Sequence, residues 1–319
     1  MKTITLRPAD PHRDFGQIVA LFNLEQDERA LESDLKVDYE EHKARIIRLM
    51  VAEDEQGQLL GFNWATRNRY DPGRAYFYVI VKPDQRGQGA GRRLYADLEG
   101  AAKEAQVKEL RISICDTSSE IRCFAERRGF IERAHALAME LDLDVFDDRP
   151  YDAVISRLED EGFRFTSMEE LGNTEAVQRS LYTLNNTTDL ATPGSDGQPS
   201  WDSFEDFQKR VCQSGWYKPA GQMVVIDSVS GAWAAMSAIT RMEGADYAYN
   251  LHTGVDMPYR GRKLAQAVKV KALRYARQVL KVNKVRTYHN TKNLPMITID
   301  LKFGYTYLPG TFSMVKMLE

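Results

Sequence analysis

The sequence predicts an α/β protein in which one folding unit is used twice, over residues 1–145 and 146–319. Three observations predict it. The chain has 319 residues, and at roughly 100–200 residues per domain that length asks for two domains. Val81-Lys82-Pro83-Asp84-Gln85-Arg86-Gly87 is echoed by Val255-Asp256-Met257-Pro258-Tyr259-Arg260-Gly261, with the arginines 174 positions apart (260 − 86). Gly129-Phe130 is echoed by Gly304-Tyr305, 175 apart (304 − 129). Two landmarks that keep their spacing to within one residue mark an internal repeat. The third observation is that the elements between the landmarks recur in the same order.

In the first half, Thr3 to Arg7 reads as a short strand, and Asp14 to Phe22 and Tyr39 to Met50 as helices. Leu49 to Glu53 and Leu59 to Thr66 read as strands across Asp54-Glu55-Gln56-Gly57, which has hairpin-turn chemistry. Ala75 to Val81 is a β-prone run, Ala-Tyr-Phe-Tyr-Val-Ile-Val. Leu94, Leu98, Ala101 and Ala105 then recur at helical spacing. Leu110 to Cys115 is a strand, Ser118 to Arg128 a helix and Ala136 to Leu143 a closing strand. Asp144 to Pro150 marks the boundary, and Tyr151 to Glu161 reads as a linker helix packing between the halves.

The second half opens with a strand at Phe163 to Thr166, then helices over Glu175–Asn185 and Phe204–Ser214. Strands follow at Gln222–Asp227, Ala232–Thr240 and Tyr247–Val255, then an amphipathic helix through Leu264, Val268, Ala272, Tyr275 and Val279. Val285–His289, Pro295–Phe303 and Phe312–Leu318 complete it as strand, helix and strand. Ala191 to Ser200, rich in Thr, Pro, Gly, Ser and Asp, reads as a loop able to cover a site.

Composition narrows the function classes. Apolar residues make up 43% and charged residues 28%, an ordinary globular balance. A net charge of −3 gives no electrostatic reason to expect nucleic acid or an anionic membrane as partner. Cys115, Cys123 and Cys212 show no paired spacing, which points to a reducing compartment. The N-terminus lacks the apolar run of a secretion signal, and no stretch approaches the ~20 apolar residues of a membrane span. The expectation is a cytoplasmic protein, monomeric or homodimeric. No metal-ligand cluster stands out.

The most specific chemistry lies in Gln85-Arg86-Gly87-Gln88-Gly89-Ala90-Gly91-Arg92, which follows a strand and opens a helix. Glycines let the backbone approach a ligand, and the free N–H groups of a helix N-terminus attract an anion. Arg86 and Arg92 add positive charge, so a pyrophosphate is the natural occupant; a tight turn without ligand is the plainer alternative. The dinucleotide fingerprint needs G-x-G-x-x-G, whereas Gly87, Gly89 and Gly91 are spaced G-x-G-x-G, and the phosphate-loop Gly-Lys-Ser/Thr is absent.

Arg86-Gly87-Gln88-Gly89-Ala90-Gly91 resembles the R-x-x-G-x-G/A loop of the GNAT superfamily of N-acetyltransferases, and the element order of each half is similar to that fold. The tandem arrangement resembles mycothiol-synthase-like members. The resemblance covers nearly the whole chain and implies two acyl-CoA N-acyltransferase domains, each a mixed, splayed central sheet flanked by helices. It implies acetyl-CoA as acyl donor, no metal, and an amine of a small molecule or peptide as acceptor. The backbone of Gly87, Gln88, Gly89, Ala90, Gly91 and Arg92 would hold the pyrophosphate, beside Arg86. Val79, Ile80 and Val81 would pair with the pantetheine arm as an added strand. The splayed pair would be Ala75–Val81 and Leu110–Cys115.

The second copy departs from the motif. Arg260-Gly261-Arg262-Lys263-Leu264-Ala265 has lysine in place of the first motif glycine. A first helical turn needs no positive φ, so lysine is expected to be tolerated there. Either a second coenzyme site results, with Thr253, Val255, Asn290 and Asn293 near the arm, or a pseudo-domain kept for packing.

The implied mechanism is direct attack of the amine on a thioester, with a base removing its proton. Many members place a tyrosine four residues before the Gly-Phe landmark; Ala125 and Asp300 stand there. The glutamate some members carry near the start of the central strand is replaced by Ala75 and Tyr249. Remaining candidates are Asp116, which also fits as a helix cap at Ser118, and Tyr78, which with Tyr76 also fits a core strand face. His252 and His289 titrate near neutral pH and equally suit structural roles. Cys123 reads as a small buried hydrophobe. Three readings are weighed: an N-acetyltransferase, a non-catalytic acyl-CoA-binding regulatory or sensor protein, and an O-acyl or longer-chain acyltransferase, which would need a wider acyl gap than Tyr76, Phe77 and Tyr78 suggest.

Overall fold

The computed structural model describes residues 3–24, 30–69, 71–195, 197, 200, 201 and 203–319. In chain order the elements are β1 (Thr5–Pro8), α1 (Pro11–Phe22), α2 (Glu32–His42), β2 (Ile46–Glu53), β3 (Leu59–Arg67) and β4 (Arg74–Val81). Then come α3 (Ala90–Glu104), β5 (Glu109–Cys115), α4 (Ser119–Glu126), β6 (Ile131–Asp142), α5 (Asp152–Asp160) and β7 (Phe163–Ser167). The remainder is α6 (Glu175–Leu190), α7 (Phe204–Phe207), β8 (Gln222–Asp227), β9 (Trp233–Thr240), β10 (Ala248–Val255), α8 (Leu264–Tyr275), β11 (Lys284–Asn290), α9 (Leu294–Phe303) and β12 (Thr306–Met317). Among the described residues no helix is long and apolar enough to cross a membrane.

The chain divides into two units. Unit 1 runs to Arg133 and adds Thr311–Glu319; unit 2 is Ala134–Gly310. In unit 1 the strand order is β1-β2-β3-β4-β5-β12, antiparallel except for the β4/β5 pair. In unit 2 it is β6-β11-β10-β9-β8-β7, antiparallel except for β10/β11. Unit 1 is thus closed by the last strand of the chain, and unit 2 by the strand that ends the first repeat. Residues 311–317 of β12 pair with β5, and residues 136–142 of β6 pair with β11.

The division differs from the expected one at 145/146. Residues 134–145 belong to unit 2 and residues 311–319 to unit 1. Both closing strands carry the same kind of apolar alternation, which specifies a strand and its buried face but not the neighbour it pairs with. The linker helix α5 packs in the core of unit 2 through Ile155 and Leu158.

A second correction concerns residues 39–50. The helix there ends at His42, and residues 46–50 already belong to β2. Ile46 and Ile47 are β-branched, and Ile46 pairs with Thr66 of β3, so sheet pairing overrides the helical spacing. The β2/β3 hairpin turns as expected: Gly57 has φ 73, and Asp54 Oδ1 accepts from the N–H groups of Gln56 and Gln58 at 3.0 and 2.8 Å. At the start of α1, Asp10 accepts from His12 N–H at 2.8 Å with Pro11 in the first turn.

Each sheet is covered on both faces. In unit 1, Phe15 and Ile18 of α1 pack on Phe62 and Trp64, while Tyr95 and Leu98 of α3 pack with Phe77 and Phe130. In unit 2, Leu181 and Leu184 of α6 join Phe207, Val224 and Met236, while Val268 and Leu273 of α8 join Met139 and Leu141.

Candidate active site

The parallel strands of unit 1 stay paired for three residues only. Arg74, Ala75 and Tyr76 face Glu109, Leu110 and Arg111, after which β4 runs on to Val81 and β5 to Cys115 without partners in each other. The edge of β4 from Phe77 onward is left open to an extended ligand. In unit 2, Ala248 and Tyr249 pair with Val285 and Arg286, and the strands then part in the same way. Here β10 also bulges. Asn250 faces Ile239 and His252 faces Ala238, so Leu251 has no partner on β9. Asn250 holds this kink through Nδ2, which donates to Ser237 Oγ at 3.0 Å and to Ala238 O at 2.9 Å. Thr253 Oγ1 donates to Asn250 Oδ1 at 3.1 Å.

A loop follows each central strand. Arg86 has φ −66 and ψ 158, and Arg260 has φ −64 and ψ 158. Each arginine folds back to its strand, Arg86 Nε donating to Val81 O at 3.3 Å and Arg260 Nε to Val255 O at 3.2 Å. Gly87 and Gly261 have φ 75 and 82. Gly89 caps α3 with φ 100, and Lys263 caps α8 with φ 71. Among the described residues, the N–H groups of residues 88–92 and 262–266 have no acceptor, and Arg93 and Ala267 begin the helical bonding back to Gly89 O and Lys263 O at 3.1 Å each. Gly87 and Gly89 have nothing within 4 Å of where a Cβ would sit. Both loops therefore present a row of free donors at a helix N-terminus, which suits an anion.

Lys263 corrects the expectation from sequence. It lies outside the first helical turn, in the left-handed region, where an L side chain costs about 1–2 kcal/mol. The second loop keeps the backbone of the first despite that cost.

Unit 2 contains a cavity of about 270 Å³ on the α6 face of its sheet. His252 and Leu251 line it from the bulge, Asn185 and Asp189 from α6, and Ser200 and Trp201 from the segment that follows. Trp201 Nε1 donates to Asn185 Oδ1 at 2.9 Å, and Ser200 Oγ donates to Asp189 Oδ2. His252 Nε2 lies 2.8 Å from Thr188 Oγ1. That hydroxyl is also 2.8 Å from Leu184 O and 3.2 Å from Asn185 O. With its one proton on those carbonyls, it accepts from His252 Nε2–H and leaves Nδ1 with the lone pair. Burial pushes the His252 imidazole below its ordinary 6.5, against a weaker opposite pull from Asp189. His252 is thus a neutral imidazole beside a mostly apolar chamber, able to take a proton.

Residues 16–130, most of unit 1, match the profile of the acetyltransferase (GNAT) family. Unit 1 contains a GNAT acetyltransferase domain. The chain as a whole has the tandem GNAT fold, and three solved structures carry that statement. A GCN5-related N-acetyltransferase from Sphaerobacter thermophilus is 17% identical, with TM-score 0.70 over 98% of this chain and 95% of its own. A tandem GNAT protein from the clavulanic acid biosynthesis pathway is 18% identical, with TM-score 0.70 over 99% and 98%. A glucosamine N-acetyltransferase region of a fungal multi-domain β-N-acetylglucosaminidase is 14% identical, with TM-score 0.74 over 98% of this chain and 38% of that one. A comparison with curated proteins finds no match.

Within these GNAT folds the expected residues are distributed as follows. Val79, Ile80 and Val81 lie on β4 beyond its pairing with β5, and Arg86 to Arg92 form the first loop. Thr253 and Val255 lie on β10 beyond the bulge, and Arg260 to Ala265 form the second loop. Asn290 ends β11 and accepts from Lys292 N–H at 2.9 Å, while Asn293 is buried at the start of α9. Gly194 approaches so closely that a Cβ would stand 2.5 Å from the Asn290 side chain. Residues 196, 198 and 199 of the expected loop over 191–200 lie outside the described residues.

Three further expectations are corrected. Tyr76 and Tyr78 are 43% and 42% exposed, because Ala75 and Phe77 take the inward phase of β4. Cys123 is exposed, on the outer side of α4. Asp116 stands just past β5, and no side chain caps α4 at Ser118. His289 is bound to a carboxylate: its Nε2 is 2.6 Å from Asp300 Oδ2, and Lys269 Nζ reaches Asp300 Oδ1. Burial alone would raise the Asp300 carboxyl, but Lys269 and His289 outweigh it and hold the group below the usual range. Asp300 occupies the position of the missing tyrosine and is sealed in this cluster, with 0% exposure. Sequence reasoning missed Asn185, Thr188 and Asp189, which the packing of α6 on β10 brings to His252, Trp201, which is tied to Asn185, and Gln222, which reaches the same wall because it and His252 both pair with Ala238 of β9.

Proposed function

We propose that the protein is an N-acetyltransferase that moves an acetyl group from acetyl-CoA to a primary amine of a small molecule or peptide by direct attack, with transfer in unit 2. One observation carries the reading: β10 is one arm of the open gap and also brings His252 to the wall of the cavity. The residues present fit the coenzyme. The unpartnered N–H groups of residues 262–266 offer donors to a pyrophosphate, and the open edge of β10 offers a backbone partner to an extended arm. Residues 88–92 and the open edge of β4 offer the same in unit 1.

When bound, acetyl-CoA would supply a thioester carbonyl open to attack by an amine. The rest of the site belongs to the chain. The cavity orients the acceptor beside His252. His252 Nδ1 accepts the proton that the amine must lose, and because burial keeps the imidazole neutral, the base is ready at physiological pH. Thr188 fixes the tautomer that makes this possible.

The test is amine-dependent release of free thiol from acetyl-CoA across a panel of amines. Release is expected for the full-length protein, and His252→Gln is expected to lower kcat/KM by about 10²-fold or more. Binding of acetyl-CoA with no release for any amine would favour the sensor reading instead.

A further inference from the structure

The two repeats fill the same three places differently. Lys269, His289 and Asp300 of unit 2 correspond to Tyr95 (269 − 174), Ile114 (289 − 175) and Ala125 (300 − 175) of unit 1. Those three lie buried in one hydrophobic cluster with Phe77 and Phe130. Unit 1 therefore folds without an ionic group there, and a buried ion pair is often no more stabilising than apolar side chains of similar volume. Packing does not require the cluster that unit 2 carries.

The geometry of that cluster suits proton transfer. Asp300 and Lys269 are fully buried, whereas the His289 side chain keeps 9% of its surface exposed. Asp300 Oδ2 accepts from His289 Nε2–H at 2.6 Å, which leaves Nδ1 as the ring nitrogen turned away from the carboxylate. Among the described residues Nδ1 meets no partner and stays within reach of solvent. Lys269 and His289 together hold Asp300 ionised, and an ionised carboxylate behind Nε2–H offsets the positive charge of an imidazolium. The strand is also the right one. β10 and β11 part after Tyr249 and Arg286, and His289 lies three residues further along β11. Its bond to Asp300 directs it to the α9 side of the sheet, while the contact with Thr188 directs His252 to the α6 side. One histidine thus faces each side of the sheet at the open gap.

We propose that His289 is the acid of the transfer in unit 2, giving the proton on Nδ1 to the departing sulfur, with Asp300 as its positioning residue. The proposal rests on the acetyltransferase reading and adds the acid which that reading lacks. As the amine nitrogen bonds to the carbonyl carbon, His252 Nδ1 takes the amine proton. As the carbon–sulfur bond breaks, its electron pair goes to sulfur and the His289 proton follows. Solvent then takes the proton from His252 and returns one to His289, so the products are an amide and a free thiol. The charged and titratable groups packed with His289 are Asp300, Lys269 and, beyond Lys269, Tyr305; its cross-strand neighbour on β6 is Leu137.

Kinetics, calorimetry and thermal melts of the full-length protein test it. His289→Gln can still donate to Asp300 but has no proton to give up. It is expected to lower kcat about 10²-fold with little change in KM. It is also expected to lose the alkaline fall of kcat that the parent shows as its imidazolium is lost. Binding gives a readout without turnover, made with Gly89→Glu added so that the unit 2 site alone is read. With His289 present, coenzyme A is expected to bind about tenfold more tightly than desulfo-coenzyme A, and with His289→Gln the two are expected to bind alike. Lys269→Met, His289→Ile and Asp300→Ala made together give the three places an apolar filling like that of unit 1. This triple variant is expected to keep a cooperative melt and to lose transfer. A cluster kept for packing alone would show the reverse, a lower Tm with the alkaline fall and the coenzyme preference intact. The proposal is overturned if either variant keeps the alkaline fall, or if His289→Gln keeps the preference for coenzyme A. Thiol release by the parent that His289→Gln leaves unchanged would sink this proposal alone. No release with any amine would sink the transfer reading, and the coenzyme preference would still decide whether His289 meets the sulfur.

Discussion

Lys263 holds φ 71 where the first loop holds Gly89 at φ 100, and the pair sets up opposite substitutions. Lys263→Gly relieves about 1–2 kcal/mol of left-handed strain and gives back about 0.5–1 kcal/mol through the freer unfolded chain. The net expectation is a gain of about 0.5–1 kcal/mol, read as a higher Tm in a thermal melt. Gly89→Ala introduces the strain and is expected to lower Tm. His252 gives a second residue-scale expectation. Its folded pKa lies below its unfolded 6.5, so below pH 6.5 the unfolded chain binds the proton more readily and stability falls with pH. A melt at pH 5.5 against pH 7.5 should show a smaller loss for His252→Gln than for the parent, and an equal loss would contradict a neutral buried imidazole. The glycine loop was legible because its residue types are those the backbone demands. Thr188 was not: a tautomer-setting hydroxyl exists only once α6 has packed on the sheet.

The buried cluster of Lys269 on α8, His289 on β11 and Asp300 on α9 joins three elements of unit 2 with no solvent to compensate a missing partner. Asp300→Asn or Lys269→Met alone is expected to cost about 3–5 kcal/mol, and Lys269→Met with Asp300→Leu less than the two costs added, which denaturant unfolding can measure. The exchange of closing strands makes a separate prediction. Residues 311–317 supply the antiparallel partner of β5, whose parallel pairing with β4 lasts three residues. Removing residues 306–319 is expected to abolish hydrogen-exchange protection across residues 109–115, and unchanged protection would contradict the pairing. Most elements could be read from sequence because strand and helix periods are local. The partners of β6 and β12 could not, since the two strands stand at equivalent places in a repeat and each satisfies the same local pattern. Residues 39–50 failed for a related reason: helical spacing and β-branched residues compete there, and only pairing with β3 decides.

At the scale of the molecule, the repeat read from two landmarks corresponds to two units with the same splayed pair and the same loop backbone. The central claim is that acetyl-CoA is held at those loops, with unit 2 competent despite Lys263. Calorimetric titration of acetyl-CoA into the full-length protein, Gly89→Glu and Lys263→Glu tests it most directly, because each variant sets a carboxylate among the free donors of one loop. The account predicts that Gly89→Glu still binds, with fewer sites than the parent, and that Lys263→Glu loses the site that Gly89→Glu retains. Loss of all binding in Gly89→Glu would confine the coenzyme to unit 1, and no binding to the parent would contradict the acetyl-CoA reading altogether.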